Sequence, residues 1–286
     1  MSIKNFIPAV WAEGIERDLA VKCIFAEDCN RKYEGKVKER GESVKILGVG
    51  KPTIYTIDRA DAASKIAEAE QLEDASTIMH INQLSYFNFL VNDIDRAQAN
   101  GEVMAALNEE ATEGLAARMD AHIASCALDK SIPHLLKTPQ KAVSGTAGSN
   151  EINVLAVIDK ALTMLYEQDV PQAAKIVANV SPRFYEVFKR EYGLRDTNNS
   201  ELLKTGRATQ YGNVLVKMSN GVATSQNGAV DHIMIRTQRA IAFANPHTEV
   251  EAYKPEAYFA DAVKGYSLYQ AKVVRPKELV VIPLTY

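Results

Sequence analysis

The spacing of apolar positions changes character several times along this chain, and each change marks a different kind of element. Residues 8–29 put Val10, Trp11, Ile15, Leu19 and Ile24 on roughly one side of a helix. Between Tyr33 and Ile57 that spacing gives way to short alternating runs. Val44 and Ile46 alternate with Ser43 and Lys45, and Gly35, Gly41, Gly48, Gly50 and Pro52 break the pattern, as in a twisted hairpin with Gly-rich turns. Residues 60–75 are rich in Ala, Glu and Lys, a composition that predicts a short helix. A short aromatic strand, Leu84-Ser-Tyr-Phe-Asn-Phe-Leu-Val91, then runs through Asn92-Asp-Ile-Asp95 into one long helix over residues 93–129. Asn92 or Asp93 supplies the cap, because a short side-chain oxygen accepts the free amides of the first turn.

Met104, Leu107, Ala111, Leu115, Met119, Ile123 and Cys126 step by three and four along that helix, making an apolar stripe that Pro133 ends. About 37 residues at ~1.5 Å each reach roughly 55 Å, longer than most globular helices. Gly101 and Gly114 interrupt it, each costing ~1 kcal/mol relative to Ala. Close packing against a neighbouring element explains them; so does a helix built to bend, which makes both candidate hinges. Beyond the helix, Ser144-Gly-Thr-Ala-Gly-Ser-Asn150 reads as a flexible connector, and Val154, Leu155, Ile158, Leu162 and Leu165 mark a second amphipathic helix. Residues 175–180 predict a strand, and Ser181-Pro182 starts a helix with Ser as cap and Pro in the first turn. Strands follow at 213–218, 230–243, 248–254 and 271–284. The class is α+β, with helices early and strands late.

At 286 residues the chain is long enough for one large domain or two modest ones. A net charge of −3 disfavours a dedicated nucleic-acid binder, whose affinity comes from clustered Lys and Arg. Charge is nevertheless segregated. Residues 31–51 carry seven basic side chains (Arg31, Lys32, Lys36, Lys38, Arg40, Lys45, Lys51) against three acids. Residues 93–120 carry seven acids (Asp93, Asp95, Glu102, Glu109, Glu110, Glu113, Asp120) against two bases. A solvated face explains either alone. Together they suggest that the basic hairpin of one subunit lies over the acidic helix of the next, with Arg31, Lys36, Lys38, Arg40, Lys45 and Lys51 facing Glu102, Glu109, Glu110 and Glu113. No segment reaches the ~18 apolar residues of a membrane span, and the start lacks a signal peptide's hydrophobic stretch, so a soluble cytosolic product is expected.

Catalytic chemistry is hard to find. Gly48-Val-Gly-Lys-Pro-Thr53 has the look of a phosphate loop, but Lys45 stands where the first Gly belongs and Pro52 replaces the magnesium-binding hydroxyl. There is no Gly-x-Ser-x-Gly elbow and no His-Glu-x-x-His pair. His80, His122, His134, His232 and His247 are scattered; Asp231-His232 is the one pair that suggests a metal-dependent hydrolase, and a strand-end pair accounts for it as well. His122, beside the apolar stripe, reads as a hydrogen-bonded residue at the core edge. Cys23, Cys29 and Cys126 fit neither a disulfide framework nor a paired-Cys zinc site, and no basic residue beside Cys126 suggests a depressed thiol pKa. No catalytic residue, metal or cofactor is expected.

A set of motifs in consistent order runs over nearly the whole chain. They are Phe6-Ile-Pro-x-x-Trp11, Tyr33-Glu-Gly35, Gly41-Glu-Ser-Val-Lys-Ile46, Ile81-Asn-Gln83, Tyr86-Phe-Asn-Phe89, Val91-Asn-Asp-Ile-Asp95 and Ala97-Gln98. Later come Val180-Ser-Pro-x-Phe-Tyr185, Ala240-Ile-Ala-Phe-Ala244, Val250-Glu-Ala-Tyr253 and Ala271-Lys-Val-Val-Arg-Pro-Lys277. In these the chain resembles the major capsid proteins of tailed bacteriophages with the Hong Kong 97 fold, most of all the branch of the P-twenty-two-like phages. Asn92 stands where the family usually has Asp, and Gln270 where Gly is common.

The resemblance implies residues 1–30 as an N-terminal arm and 31–80 as an extended hairpin loop. It implies 81–130 with 246–286 as a peripheral domain carrying the long spine helix, and 131–245 as an axial domain. Residues 58–80 then become the returning limb of the loop, against the helix that composition predicts. It further implies hexamers and pentamers in an icosahedral head around double-stranded DNA, assembled in the host cytoplasm with a scaffolding protein and a portal. The DNA is held by confinement, and no membrane is involved. An encapsulin-type compartment is the alternative that shares this fold.

Overall fold

The computed structural model describes residues 23–32, 43–49, 74–92, 103–194, 210–253, 255–256 and 260–286. Strands β1 (Ser43–Val49) and β2 (Asp74–His80) pair antiparallel, Ser43 opposite His80 and Val49 opposite Asp74. Among the described residues the partner of 43–49 is thus β2; the rest of the predicted 33–57 hairpin lies outside the described residues. Asp74 and Ala75, the end of the helix predicted from composition, are strand; its residues 60–73 lie outside the described residues.

Strand β3 (Gln83–Asn92) contains the predicted aromatic run, and alternation divides its side chains. Phe87 and Phe89 are half-buried against the main core, whereas Leu84, Tyr86 and Leu90 are exposed. The long helix α1 is described over Val103–Ser125 and tightens into a 3-10 turn at Cys126–Leu128. Leu115, Met119 and Ile123 of the predicted stripe are buried, so periodicity located this face correctly. Residues 93–102, including the expected cap at Asp93, lie outside the described residues.

The middle of the chain builds an eight-stranded mixed sheet. Strands β4 (Gln140–Val143) and β5 (Glu151–Asn153) flank the Gly-rich connector. That segment is pinned and not simply flexible: the amide of Gly145 donates to buried Glu191 at 2.6 Å and the amide of Gly148 to Glu151 at 3.1 Å. Helix α2 (Val154–Glu167) is capped by Asn153, whose side chain accepts from the amides of Leu155 and Ala156. Strand β6 (Ile176–Val180) and helix α3 (Pro182–Leu194) follow as predicted, with Ser181 Oγ accepting from the amide of Phe184 at 3.3 Å. Then come β7 (Gln210–Tyr211), β8 (Val214–Met218) and β9 (Thr224–Ser225).

The strand predicted over 230–243 is two, β10 (Val230–Thr237) and the start of β11 (Ile241–Tyr253), because the chain turns at 238–240. The strand predicted over 271–284 is likewise split, between β12 (Ala260–Val273) and β13 (Leu279–Thr285), by a turn at Pro276–Glu278. Thr237 and Arg275 both donate to Glu278 there, tying the two turns together.

The large sheet runs β5-β4-β13-β10-β6-β8-β7, with β9 on β10, and α2 and α3 pack on it. A separate three-stranded sheet, β11-β12-β3, lies against α1. The C-terminal strand β13 sits inside the large sheet, so the segment 246–286 is shared between two sheets. One continuous core joins α1, α2, α3 and both sheets, and a smaller cluster seats the β1–β2 base on the other face of the three-stranded sheet through Val44, Ile46, Met79, Ala244 and Leu268. Among the described residues no helix is long and apolar enough to cross a membrane.

Candidate functional site

A group of buried polar side chains grips the end of the predicted N-terminal helix. Instead of carrying that helix on to residue 29, the chain makes a single 3-10 turn at Ala26–Asp28 and becomes extended at Cys29. Three elements distant in sequence impose this shape. From α1, the buried carboxylate of Asp120 accepts from the amides of Ile24 (2.8 Å) and Phe25 (3.1 Å). From β10, fully buried Arg236 donates to the carbonyls of Phe25 (3.0 Å) and Asp28, while its Nε donates to Asn179 Oδ1 on β6 at 3.2 Å. The register pairs Met234 with Asn179 and Arg236 with Val177, so alternation brings Arg236 and Asn179 to the same face of the sheet.

The third contact is ionic. Buried Asp28 meets Lys175 at 3.0 Å and Lys217 at 2.7 Å, and Lys217 also meets Glu27 at 2.6 Å. Beyond the turn, Asn30 bridges to the three-stranded sheet: its amide donates to Ile241 and its carbonyl accepts from Phe243. Amides, carbonyls and a carboxylate of one short segment are therefore each held by a different part of the core. Buried backbone groups need such partners, because an unpaired one costs about 1–3 kcal/mol.

The electrostatics of the anchor are opposed. Burial alone raises the carboxyl of Asp28, but the hydrogen bonds and charges of Lys217 and Lys175 outweigh it and hold the group below its ordinary 3.8. For Asp120 burial wins: its pKa is raised despite the amides of Ile24, Phe25 and Ala26 and the charge of Arg236. Burial also pushes the thiols of Cys23 and Cys126 up to about 12. Thiols held that high carry little thiolate at neutral pH. The arrangement is a mechanical clamp, built to hold a chain segment in place.

Sequence reasoning missed this clamp and misassigned one of its members. Asp120, counted with the acidic exposed face of the long helix, is buried and faces the 24–25 amides. Glu109, Glu110 and Glu113 are exposed on α1 as predicted, and Arg31 is exposed just beyond the clamp. Lys45 lies on β1. Lys36, Lys38, Arg40, Lys51, Glu102 and Gly101 lie outside the described residues. Gly114 is on the solvent side of α1, and among the described residues a Cβ there meets nothing within 4 Å.

Asp231 and His232 are both buried on β10. His232 Nε2 is bonded to Ser225 Oγ at 2.9 Å, and its ring stands edge-on to His134 at 6.4 Å between centroids. Among the described residues, no three His, Cys, Asp or Glu side chains gather to hold a metal ion. His122 packs edge-on against Tyr269 at 5.6 Å, the core-edge position its sequence context predicts.

No family model matches the sequence, and no curated protein does. Solved structures match over nearly the full chain. A structure from Mycobacterium phage Che8 is 24% identical, covers 91% of this chain and 90% of its own, and superposes with a TM-score of 0.68. The capsid of cyanophage P-SCSP1u is 12% identical, covers 92% and 88%, and also reaches 0.68. A virus-like particle from Pyrococcus furiosus is 10% identical and covers 96% and 99%, with a TM-score of 0.58. The chain has the Hong Kong 97-type capsid fold, a mixed α+β architecture.

Proposed function

We propose that this chain is a shell subunit, the major capsid protein of a tailed bacteriophage, which assembles into hexamers and pentamers around double-stranded DNA. The observation that carries the reading is the end-to-end match to phage structures, 91% of this chain against 90% of the Che8 chain. Shells of this kind need no tight pairwise bond. Many contacts of a few kcal/mol become persistent together, because each later one forms at high effective concentration.

On this reading the three-stranded sheet with α1 belongs to the peripheral domain, and the large sheet, with β13, to the axial domain. The clamp on residues 24–30 then fixes the root of the N-terminal arm, so that strain on the arm is carried by the core. The basic segment holding Arg31 and Lys45 docks over Glu109, Glu110 and Glu113 of a neighbour. A separate scaffolding protein and a portal act during assembly in the host cytoplasm, and the finished subunit resides in the virion.

The match to the Pyrococcus furiosus virus-like particle favours a second reading, a compartment shell of the encapsulin type. One experiment addresses both. The protein is expressed alone and with a co-expressed scaffold, and the high-molecular-weight fraction is imaged by electron microscopy. Closed shells, tubes or spirals of hexameric units support a shell subunit, and DNA or protein contents distinguish virus from compartment. A monomer that stays inert at high concentration with scaffold supplied overturns both.

A further inference from the structure

The three-stranded sheet treats its two edges differently. An open edge presents unpaired N–H and C=O groups that template pairing with another chain, and proteins usually blunt it with charge, proline or a bulge. The β11 edge has all three: Pro246, a register shift between Ala244 and His247, and exposed Glu249 and Glu251. The β3 edge has none of them. Its ten residues, Gln83–Asn92, include no charged side chain and no proline. They pair with β12 in unbroken register from Asn92↔Ala260 to Gln83↔Tyr269, and among the described residues with nothing else. Three large apolar side chains on this strand's outward face are exposed: Leu84 at 49%, Tyr86 at 75% and Leu90 at 43%.

We propose that β3 pairs antiparallel with β3 of a second copy, centred on Phe87, joining two three-stranded sheets into one of six. The order of side chains selects this occupant. About Phe87 the outward positions are nearly palindromic, Leu84-x-Tyr86-x-Asn88-x-Leu90. Antiparallel self-pairing puts Leu84 opposite Leu90 of the partner subunit and Tyr86 opposite Asn88 of the partner subunit, with no like charges facing. Such an isologous contact closes on itself and adds no open-ended chain of strands. An unrelated peptide needs no such symmetry. The inference rests on the proposed shell function only for the expectation that copies of this chain meet.

Two variants test it in the full chain. A Tyr86→Cys/Asn88→Cys double variant places thiols opposite each other across the pair. Cys23 and Cys29 are buried and Cys126 is half-buried, so the parent supplies the uncrosslinked background. Mild oxidation is expected to give a linked dimer from the double variant, with neither single variant linking. Tyr86→Lys, with Leu84→Lys as a second exposed site, restores the missing edge charge. Each is expected to sediment as a smaller species than the parent at equal concentration, with an unchanged circular-dichroism spectrum. Tyr86→Cys linking alone overturns the register. Failure of the double variant to link, or normal association of both lysine variants, overturns the pairing even where shells form. Linking without shells supports the pairing and tells against the shell reading.

Discussion

Asp28 is the residue on which the clamp's response to pH turns. Its folded pKa lies below the unfolded one, so its contribution is fully present above the ordinary 3.8 and is lost as pH falls through the lowered value. Glu278, held down by Thr237, Arg275 and Arg239 against burial, adds a contribution of the same sign. Asp120 works the other way, because a raised carboxyl favours the folded state more at low pH than at neutral pH. Asp28→Asn is therefore expected to cost about 2–3 kcal/mol at pH 7. It should also lose less stability than the parent between pH 5 and pH 3, measured by urea unfolding at each pH. Arg236→Met removes donors from Asn179 and from the carbonyls of Phe25 and Asp28. Buried Asn179 Oδ1 and the carbonyl of Asp28 lose the donor, whereas the carbonyl of Phe25 keeps the Asp28 amide and Cys29 Sγ, for an expected loss of about 3–5 kcal/mol. Hydrogen exchange at residues 24–30 should then rise more than exchange in β6 or α2.

Two glycines distinguish packing from flexibility among the elements. Gly265 on β12 lies directly opposite Phe87 on β3, and a Cβ there would fall 2.5 Å from the ring and 3.1 Å from the carbonyl of Glu249. The ring of Phe87 lies over the bare glycine and stacks on Phe89 at 5.8 Å. Gly265→Ala is expected to lower stability by about 1–3 kcal/mol, because the ring must leave that site. Gly114 on α1 has no such neighbour among the described residues. Gly114→Ala should raise the thermal midpoint, by about 1 kcal/mol in free energy, through helix propensity alone. If the helix bends during shell maturation, the same variant should slow that change; an unaltered rate would leave Gly114 with no hinge role. The elements most legible in the sequence were those whose pattern decides them locally. The α1 stripe, the Ser181 cap and the aromatic strand at 84–91 are of that kind. The 230–243 and 271–284 strands were read too long because the turns within them depend on Glu278, which receives bonds from both.

For the whole molecule, the charge pattern predicts how copies meet. Reversing Arg40 and Lys45 to Glu should impair assembly while leaving the monomer folded, measured by sedimentation alongside circular dichroism. Normal assembly of that variant would end the electrostatic docking idea. The buried members of the acidic set do not contribute: Asp120 is spent on the clamp, whereas Glu109, Glu110 and Glu113 remain on the surface. Docking driven by such exposed charges should weaken with salt, since the screening length falls to ~8 Å at physiological ionic strength.

By itself the sequence determined the α+β class, the buried face of the long helix, the aromatic strand, the amphipathic α2 and the capped start of α3. These depend on spacing and on side chains within a few residues of one another. It also carried, through motifs in order, the resemblance to a capsid fold that the structural matches bear out. Only the tertiary structure decided that residues 24–30 form a clamped turn. It alone placed β13 inside the large sheet and, among the described residues, β3 at the edge of the three-stranded one. The reason is physical: each of these depends on groups about 90 or more residues apart in sequence or on a neighbouring strand's register, such as Asp120 with Ile24 (96 apart) and Arg236 with Phe25 (211 apart). A local pattern carries no record of such partners.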